Sequence, residues 1–323
     1  MARTRAYRNG TVEAEGFPVK DVSDWLGDPG VVVWVDFCRP TAADLAEIAD
    51  ELGLHALAVE DALEEHQRPK LDRYESHSFL TAYCVNFHAE DGEVSKAEVD
   101  AFVTPNALVT VRKDEGFPID EVVARWDGAA DLAKSGVAYL LHGLLDYIVD
   151  GHFEAVQALD DQIERLEDDV FEESTQYGAM QRRSLRLRKS LTALRRAVLP
   201  MNEVISAAMR HDLRIVDDVM MPYFQDVHDH ALRAAEWTDS LRELINTVRE
   251  TQLSLQGNRM NMIMKKVTSW AAIIAIPTAV TGFYGQNVPY PGFQAASGFW
   301  TSTAVIVVLA VGLYFVFRKR DWL

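Results

Sequence analysis

Apolar and polar positions change rhythm twice along the chain. In the first part, short runs rich in β-branched and aromatic residues recur at residues 31–37 (VVVWVDF), 79–87 (FLTAYCVNF) and 98–113 (EVDAFVTPNALVTVRK), and each predicts a strand. Residues 88–97 (HAEDGEVSKA) separate the last two and read as a turn. Between the first two runs, Thr41 stands as an N-cap before TAADLAEIADELG, with acids in its first turn and Gly53 as the stop, which predicts a helix. From Tyr139 onward the period becomes helical. In residues 152–173, Phe153, Val156, Leu159, Ile163, Leu166 and Val170 share one face and acids crowd the remainder. Residues 180–200 form a basic counterpart ending at Pro200, and the two predict an antiparallel pair of complementary charge.

Pro222 opens the last long period. Nothing breaks it before Gly257, and if that glycine is tolerated the helix continues through Pro277. About 60 residues at ~1.5 Å each make a rod of ~90 Å, the dimension of a stalk rather than of a compact domain. Two runs then carry no ionisable side chain, residues 267–283 and 299–317. Each approaches the ~20 residues that cross a bilayer's hydrocarbon. Lys265 and Lys266 precede the first, Arg318, Lys319 and Arg320 follow the second, and the loop between has neither Lys nor Arg. The positive-inside rule places both termini in the cytoplasm, with the chain a multi-pass protein of the cytoplasmic (inner) membrane.

The pattern therefore predicts an α+β membrane protein. Residues 1–135 form a cytoplasmic α/β domain with a mixed sheet, 136–221 the acidic and basic helical pair, and 222–266 the stalk helix. Residues 267–285 are transmembrane helix 1, 286–298 an outer loop, 299–317 transmembrane helix 2 and 318–323 a basic tail. Two spans cannot enclose an ion path, so transport would require several copies of the chain.

Composition narrows the function. The formal charge of −17 argues against nucleic acid and fits a handler of cations, or simply a solvated acidic surface. Cys38 and Cys84 are the only cysteines and form no CxxC pair, which excludes a disulfide framework and a thiolate zinc site. The N-terminal MARTRAYRNG lacks the apolar core of a cleavable signal peptide. No P-loop, Gly-x-Ser-x-Gly elbow or His-Glu-x-x-His pattern occurs, so no enzyme and no organic cofactor is expected.

One face of the long helix carries Ser254, Gly257, Asn261, Met264, Thr268, Ala271, Ala275, Thr278 and Gly282, at alternating three- and four-residue steps. The bulky Trp270, Ile273, Ile274, Ile276 and Val280 fall off it. Small residues of this kind permit close helix packing. Turned inward around an axis, they would also leave a narrow path lined by amide, hydroxyl and thioether groups. Asn261 at one end and Gln286 with Asn287 at the other put amides at both mouths, which an apolar seam would not need.

At its C-terminal end the chain reads TGFYGQN, a second span and the tail RKRDWL. With residues 54–75 (LHALAVEDALEEHQRPKLDRYE) and 222–230 (PYFQDVHDH), this resembles the CorA family of divalent-cation channels over nearly the whole chain. The resemblance implies a homopentameric funnel whose first span lines the pore. The family signature is Tyr-Gly-Met-Asn; Tyr284, Gly285 and Asn287 match it, and Gln286 replaces the methionine. It implies that Asn287 meets the hydrated ion, that Asn261 lies near the inner end, and that Met264, Thr268, Thr278 and Gly282 face the lumen. Mg²⁺ releases its waters reluctantly, and a ring of neutral amides can hold those waters without gripping the ion too tightly for conduction. Mg²⁺ is thus the expected cargo, with Co²⁺ or Ni²⁺ beside it.

The resemblance also implies a divalent site between subunits that senses cytosolic Mg²⁺. Glu60, Asp61 and Asp226 match its positions, and closure by bound Mg²⁺ is the expected regulation. Surface acids in solvent give the same pattern. The family's outer loop often carries acids, whereas residues 288–298 (VPYPGFQAASG) carry none and contain a rigid turn signal, Pro-Tyr-Pro-Gly. A zinc transporter of the same fold and a membrane-tethered, non-conducting metal sensor remain as alternatives. Four histidines, His55, His66, His77 and His88, recur every eleven residues, and His228 and His230 lie near Asp226; imidazole suits Zn, Co and Ni. The first four cross helix, loop and strand, so their spacing need not bring them together.

Overall fold

The computed structural model describes residues 2–128, 132–171, 177–213, 215–286 and 289–323, with the backbone alone at 171, 177 and 212. It divides into two units, residues 1–248 and 249–323.

The first unit is built on a seven-stranded mixed sheet of order β2-β1-β3-β7-β6-β5-β4. Its strands are β1 (Arg3–Arg8), β2 (Thr11–Glu15), β3 (Val31–Cys38), β4 (Lys70–Arg73), β5 (Ser78–His88), β6 (Glu93–Val103) and β7 (Ala107–Arg112). Only β3 and β7 pair in parallel; the remaining pairs are antiparallel. Alternation along β3 and β7 decides which face each residue covers. Val33, Val35, Phe37, Val109 and Val111 pack with α1 (Val22–Leu26), α2 (Ala42–Leu52) and α3 (Ala56–Leu63). Trp34 and Leu108 point to the other side, toward α4 (Ile119–Gly128) and α5 (Val137–Phe171). The sheet is thus buried on both faces, as near-continuous apolar strands require. Helix α2 begins and ends where its sequence signals it. Thr41 and Asp44 form a reciprocal capping box, and Gly53 closes the helix in the left-handed region.

Three details differ from the sequence pattern. Residues 98–113 form two strands, because the Thr104–Pro105–Asn106 turn reverses the chain and Thr104 Oγ1 accepts the Ala107 N–H. The turn read at 88–97 shrinks to a tight hairpin at Gly92, and Glu93 to Ala97 join β6. The hairpin of β1 and β2 escaped the strand pattern because its exposed positions are charged. Its signal is Asn9-Gly10, both at positive φ in a two-residue connection.

Helices α5 and α6 (Tyr177–Ala208) are antiparallel neighbours: Val156, Leu159, Ile163 and Leu166 pack with Leu187, Leu191, Leu194 and Val198. Arg183 reaches Asp169 at 2.6 Å and Gln162 at 3.1 Å, so the basic and acidic faces do meet. Pro200 does not end α6. It sits buried within the helix, and the helix continues because Met201, Val204 and Ile205 are anchored in the core. That packing offsets the ~3 kcal/mol of an internal proline.

Helix α7 (Met221–Tyr284) and helix α8 (Ala296–Lys319) are each long and apolar enough, over one window, to cross a membrane. Pro277 lies inside α7 without ending it.

Candidate ion pathway and regulatory carboxylates

Two opposite stripes run along α7. The first is Phe224, Val227, Ala231, Ala234, Thr238, Leu241, Ile245 and Val248, at alternating steps of three and four, and every member is buried. The same count leads on to Ser269, which is buried, and to Ile273, Ile276 and Val280, which are half-buried. This is the face covered by the chain itself. At about 100° per residue the second stripe lies on the far side. It begins with Asp226, Asp229, Arg233, Glu236, Ser240, Glu243, Thr247 and Glu250, all exposed. It then becomes the small and polar seam of Asn261, Met264, Thr268, Ala271, Ala275, Thr278 and Gly282, and every one of these is exposed as well.

The seam's chemistry follows from what its groups do locally. A Cβ added at Gly257 or Gly282 would meet no atom within 4 Å. Each glycine costs a helix interior about 1 kcal/mol relative to alanine, and no close packing among the described residues calls for it at either position. Thr278 donates its hydroxyl hydrogen back to the Ile274 carbonyl at 3.4 Å, leaving its oxygen lone pairs to face outward. Thr281 donates to the Pro277 carbonyl in the same manner, at 2.8 Å. Hydroxyls that satisfy backbone carbonyls make a helix carrying a proline tolerable in a membrane. Near the inner end, Asn258, Asn261, Met264, Lys265, Thr268 and Trp322 line a cleft of about 510 Å³.

Beyond the seam, the Gly285 N–H donates to the Thr281 carbonyl at 2.8 Å, and Gln286 is exposed in a bend. Asn287 lies outside the described residues. The loop that follows is held by aromatics. Tyr290 donates from its hydroxyl to the Tyr284 carbonyl at 3.0 Å and meets the Tyr284 ring edge-on at 5.0 Å. The turn signal is realised one residue along from Pro-Tyr-Pro-Gly, as Tyr290-Pro291-Gly292-Phe293. Phe293 N–H donates to the Tyr290 carbonyl at 3.0 Å, and Gly292 has φ of 90°. Pro at the second and Gly at the third position is the type II arrangement. Gly292 also lies directly against Gly298, where a Cβ would not fit. Tyr284 therefore serves as a brace for the loop, whereas Gln286 is the exposed amide.

The three regulatory candidates stand on two elements. Glu60 and Asp61 are on α3, with Glu60 exposed; Asp226 is exposed on α7. Asp61 is already engaged: Lys70 Nζ lies 2.5 Å from it and 2.8 Å from Asp72. Burial lowers the Lys70 pKa, but its bonds to Asp61 and Asp72 outweigh this and hold the ammonium above its ordinary value. A cation arriving at Asp61 would meet that ammonium on Oδ2. Asp226 lies within electrostatic reach of His142, where burial depresses the imidazole against the pull of Asp146 and Asp226. Among the described residues, no three His, Cys, Asp or Glu side chains of one chain gather as a metal site. A cleft of about 1290 Å³ opens elsewhere, between residues such as Asn9, Gly30, Asn106 and Lys134, and no candidate pore or regulatory residue lines it.

The model of the CorA-like Mg²⁺ transporter protein family matches residues 29–319. The chain belongs to that family. It is 28% identical over 316 residues to the cobalt/magnesium transport protein CorA of Thermotoga maritima, covering 96% of this chain and 90% of that protein. It is 27% identical over 260 residues to the zinc transport protein ZntB of Yersinia enterocolitica, covering 80% and 78%. The complete structure of the CorA magnesium transporter from Methanocaldococcus jannaschii superposes with a TM-score of 0.79 at 22% identity, over 100% of this chain and 99% of that one. The fold is thus the CorA-like one: a mixed α/β domain, a long helix and two C-terminal apolar helices.

Within this CorA-like chain the eleven-residue histidine repeat dissolves into separate roles. His55 and His77 each stack on Tyr74, at 4.7 and 4.9 Å. His66 is exposed, and His88 bonds Ser95 at 2.9 Å. The sequence reading also missed three charged side chains that lie beneath α3: Glu98, Asp100 and Lys113. The signal was present in β6, where two acids alternate with Val99 and Ala101 and so must share a buried face.

Proposed function

We propose that the chain is a Mg²⁺ uptake channel of the cytoplasmic membrane, with Co²⁺ and Ni²⁺ as further cargo, working as a homopentamer with both termini in the cytoplasm. Its role is transport rather than catalysis. The observation that carries this is the bare seam on α7. Seven small or polar residues from Asn261 to Gly282 are all exposed in their own chain, and helix glycines at 257 and 282 have open space around them. Five copies turned seam-inward around an axis give each member a purpose. The lumen would present outward-facing hydroxyl oxygen from Thr278, thioether from Met264 and amide from Asn261, with Gln286 and Asn287 at the outer mouth. These groups bind the water of a hydrated cation without replacing it, which allows both entry and release. The polar stripe that precedes the seam carries five acids and one arginine. Such a stripe concentrates divalent cations at the cytosolic side.

Regulation rests on Glu60, Asp61 and Asp226. Carboxylates from neighbouring copies repel one another unless a cation bridges them, so Mg²⁺ in the cytosol stabilises the closed, symmetric state and its loss frees the subunits. The Lys70 ammonium at Asp61 competes with that ion and sets the concentration at which it acts.

A second reading, zinc transport, is favoured by the resemblance to the zinc transport protein, nearly equal in identity to that of the cobalt/magnesium one, and by Gln286 in place of the signature methionine. Purified protein in liposomes, assayed side by side with Mg²⁺, Co²⁺, Ni²⁺ and Zn²⁺, separates the two. Saturable Mg²⁺ uptake blocked by Mg²⁺ on the cytosolic face supports the first; Zn²⁺ uptake without Mg²⁺ uptake supports the second. No uptake of any ion would leave a membrane-tethered sensor.

A further inference from the structure

The end of α3 is fastened to the sheet by an unusual set of buried charges. Lys113, just after β7, donates from Nζ to the carbonyl of Ala62 at 2.5 Å. Glu98, on β6, accepts the backbone N–H of His66 at 2.7 Å through Oε2. Tyr83, on β5, reaches the Gln67 carbonyl at 2.6 Å and Glu98 Oε2 at 2.8 Å with one hydroxyl. Residues 62–67, which follow Asp61 directly, are therefore held from below by three side chains of the sheet.

The charges of this anchor do not balance. Glu98 is 6% exposed and Asp100 0%. Both carboxylates face a single ammonium: Lys113 Nζ lies 2.8 Å from Asp100 Oδ2 and 3.9 Å from Glu98 Oε1. The ammonium also bonds Ala62, so its short contacts go to that carbonyl and to Asp100, and Glu98 Oε1 has no hydrogen-bond partner among the described residues. Thr81 donates to the other oxygen of Asp100 at 2.7 Å. One excess negative charge away from water is the arrangement that takes up a proton. Burial pushes the Asp100 carboxyl up to about 6; Lys113 and Thr81 oppose this and Glu98 adds to it. The ionisable groups facing Asp100 include Glu98 from β6, Tyr83 from β5 and Lys113 beyond β7, and one strand further, across Thr81 on the same face, Lys70 of β4 with its partners Asp61 and Asp72. Helix α3 and its following segment contribute the Ala62 carbonyl and the His66 amide.

We propose that Glu98, Asp100 and Lys113 form a buried proton sensor that positions the end of α3, and through it Asp61, according to cytosolic pH. A proton on Asp100 Oδ2 turns that oxygen from an acceptor into a donor. Lys113 then loses the closer of its two counter-charges, the one at 2.8 Å. The ammonium follows the remaining charge on Glu98, and its bond to Ala62 weakens. The effect on ion-dependent closure rests on the regulatory reading given above for Asp61; the movement of α3 does not.

The test uses the full-length protein in liposomes and two readouts. The first is hydrogen exchange of residues 56–67, corrected for intrinsic rates, between about pH 7.5 and 5. The second is the cytosolic Mg²⁺ concentration that half-closes transport over the same range. In the wild type, exchange should rise several-fold and the half-closing concentration should rise several-fold as pH falls, both with a midpoint near the Asp100 value of about 6. Asp100→Asn should show the acid behaviour at every pH. Glu98→Gln removes the like charge and should move the midpoint to lower pH, which keeps the idea testable if the first variant fails to fold. A wild-type exchange profile flat with pH, or a midpoint unchanged in Glu98→Gln, would overturn the proposal. If exchange responds to pH while closure ignores Mg²⁺, the sensor stands and the regulatory reading of Asp61 is the part that fails.

Discussion

The two parts of α7 obey the same helical count and use it in opposite ways. From Phe224 to Val248 the informative stripe is the buried one, with Leu241, Ile245 and Val248 each nearly inaccessible. From Asn261 to Gly282 it is the exposed one, and Met264 is 61% open. The first part is satisfied within its own chain and explains stability. The seam of the second part is left exposed by the chain, and the proposed transport is assigned to it. A burial criterion applied to one copy would therefore discard the residues to which the proposed transport is assigned.

The largest expected effect lies in the second part. Thr278→Phe or Gly282→Leu should reduce ion uptake into liposomes by about a hundredfold or more while leaving the thermal unfolding of the first unit unchanged. An uptake rate near wild type would break the comparison. The converse change, Leu241→Ala, should lower the stability of the first unit by about 2–4 kcal/mol through the cavity it leaves. Uptake measured below the unfolding temperature should then stay within about twofold. The carboxylate pair comes next. Asp61→Asn with Asp226→Asn should weaken Mg²⁺-dependent closure about tenfold, read as uptake against cytosolic Mg²⁺. Lys70→Met should act in the opposite direction, because it removes the ammonium that occupies Asp61 at 2.5 Å. Closure should then occur at several-fold lower Mg²⁺.

How much of this was legible in the residues depends on where each partner lies. The α2 helix was readable because its cap, acids and stop are consecutive in sequence, from Thr41 to Gly53. The spacing of the seam was readable because its period is strict from Ser254 to Gly282. Pro200 misled because the core contacts of Met201, Val204 and Ile205 that carry α6 past it are long-range. The hold of Lys70 on Asp61 and of Lys113 on Ala62 was not legible for the same reason. Each joins residues brought together only when the strands pair, 9 and 51 positions apart along the chain.

The smallest effect is one of stability against pH. Asp100 titrates at about 6 when folded and near its ordinary value of 3.8 when unfolded. Between those values the folded chain holds a proton that the unfolded chain has lost. Ionisation of Asp100 thus weighs against folding above pH 6, and the penalty is relieved as pH falls through 6. Asp100→Asn should stabilise the first unit by at most about 3 kcal/mol at neutral pH, and the gain should vanish near pH 4, as denaturant melts at a series of pH values would record.

The central claim is that the bare seam faces the ion. Single cysteines placed by Thr278→Cys and Val280→Cys, in a background of Cys38→Ser and Cys84→Ala, can be challenged with a water-soluble cationic thiol reagent during uptake. The account predicts rapid block at position 278, slowed by Mg²⁺, and no block at position 280 on the covered face. Block at 280 with none at 278 would contradict it.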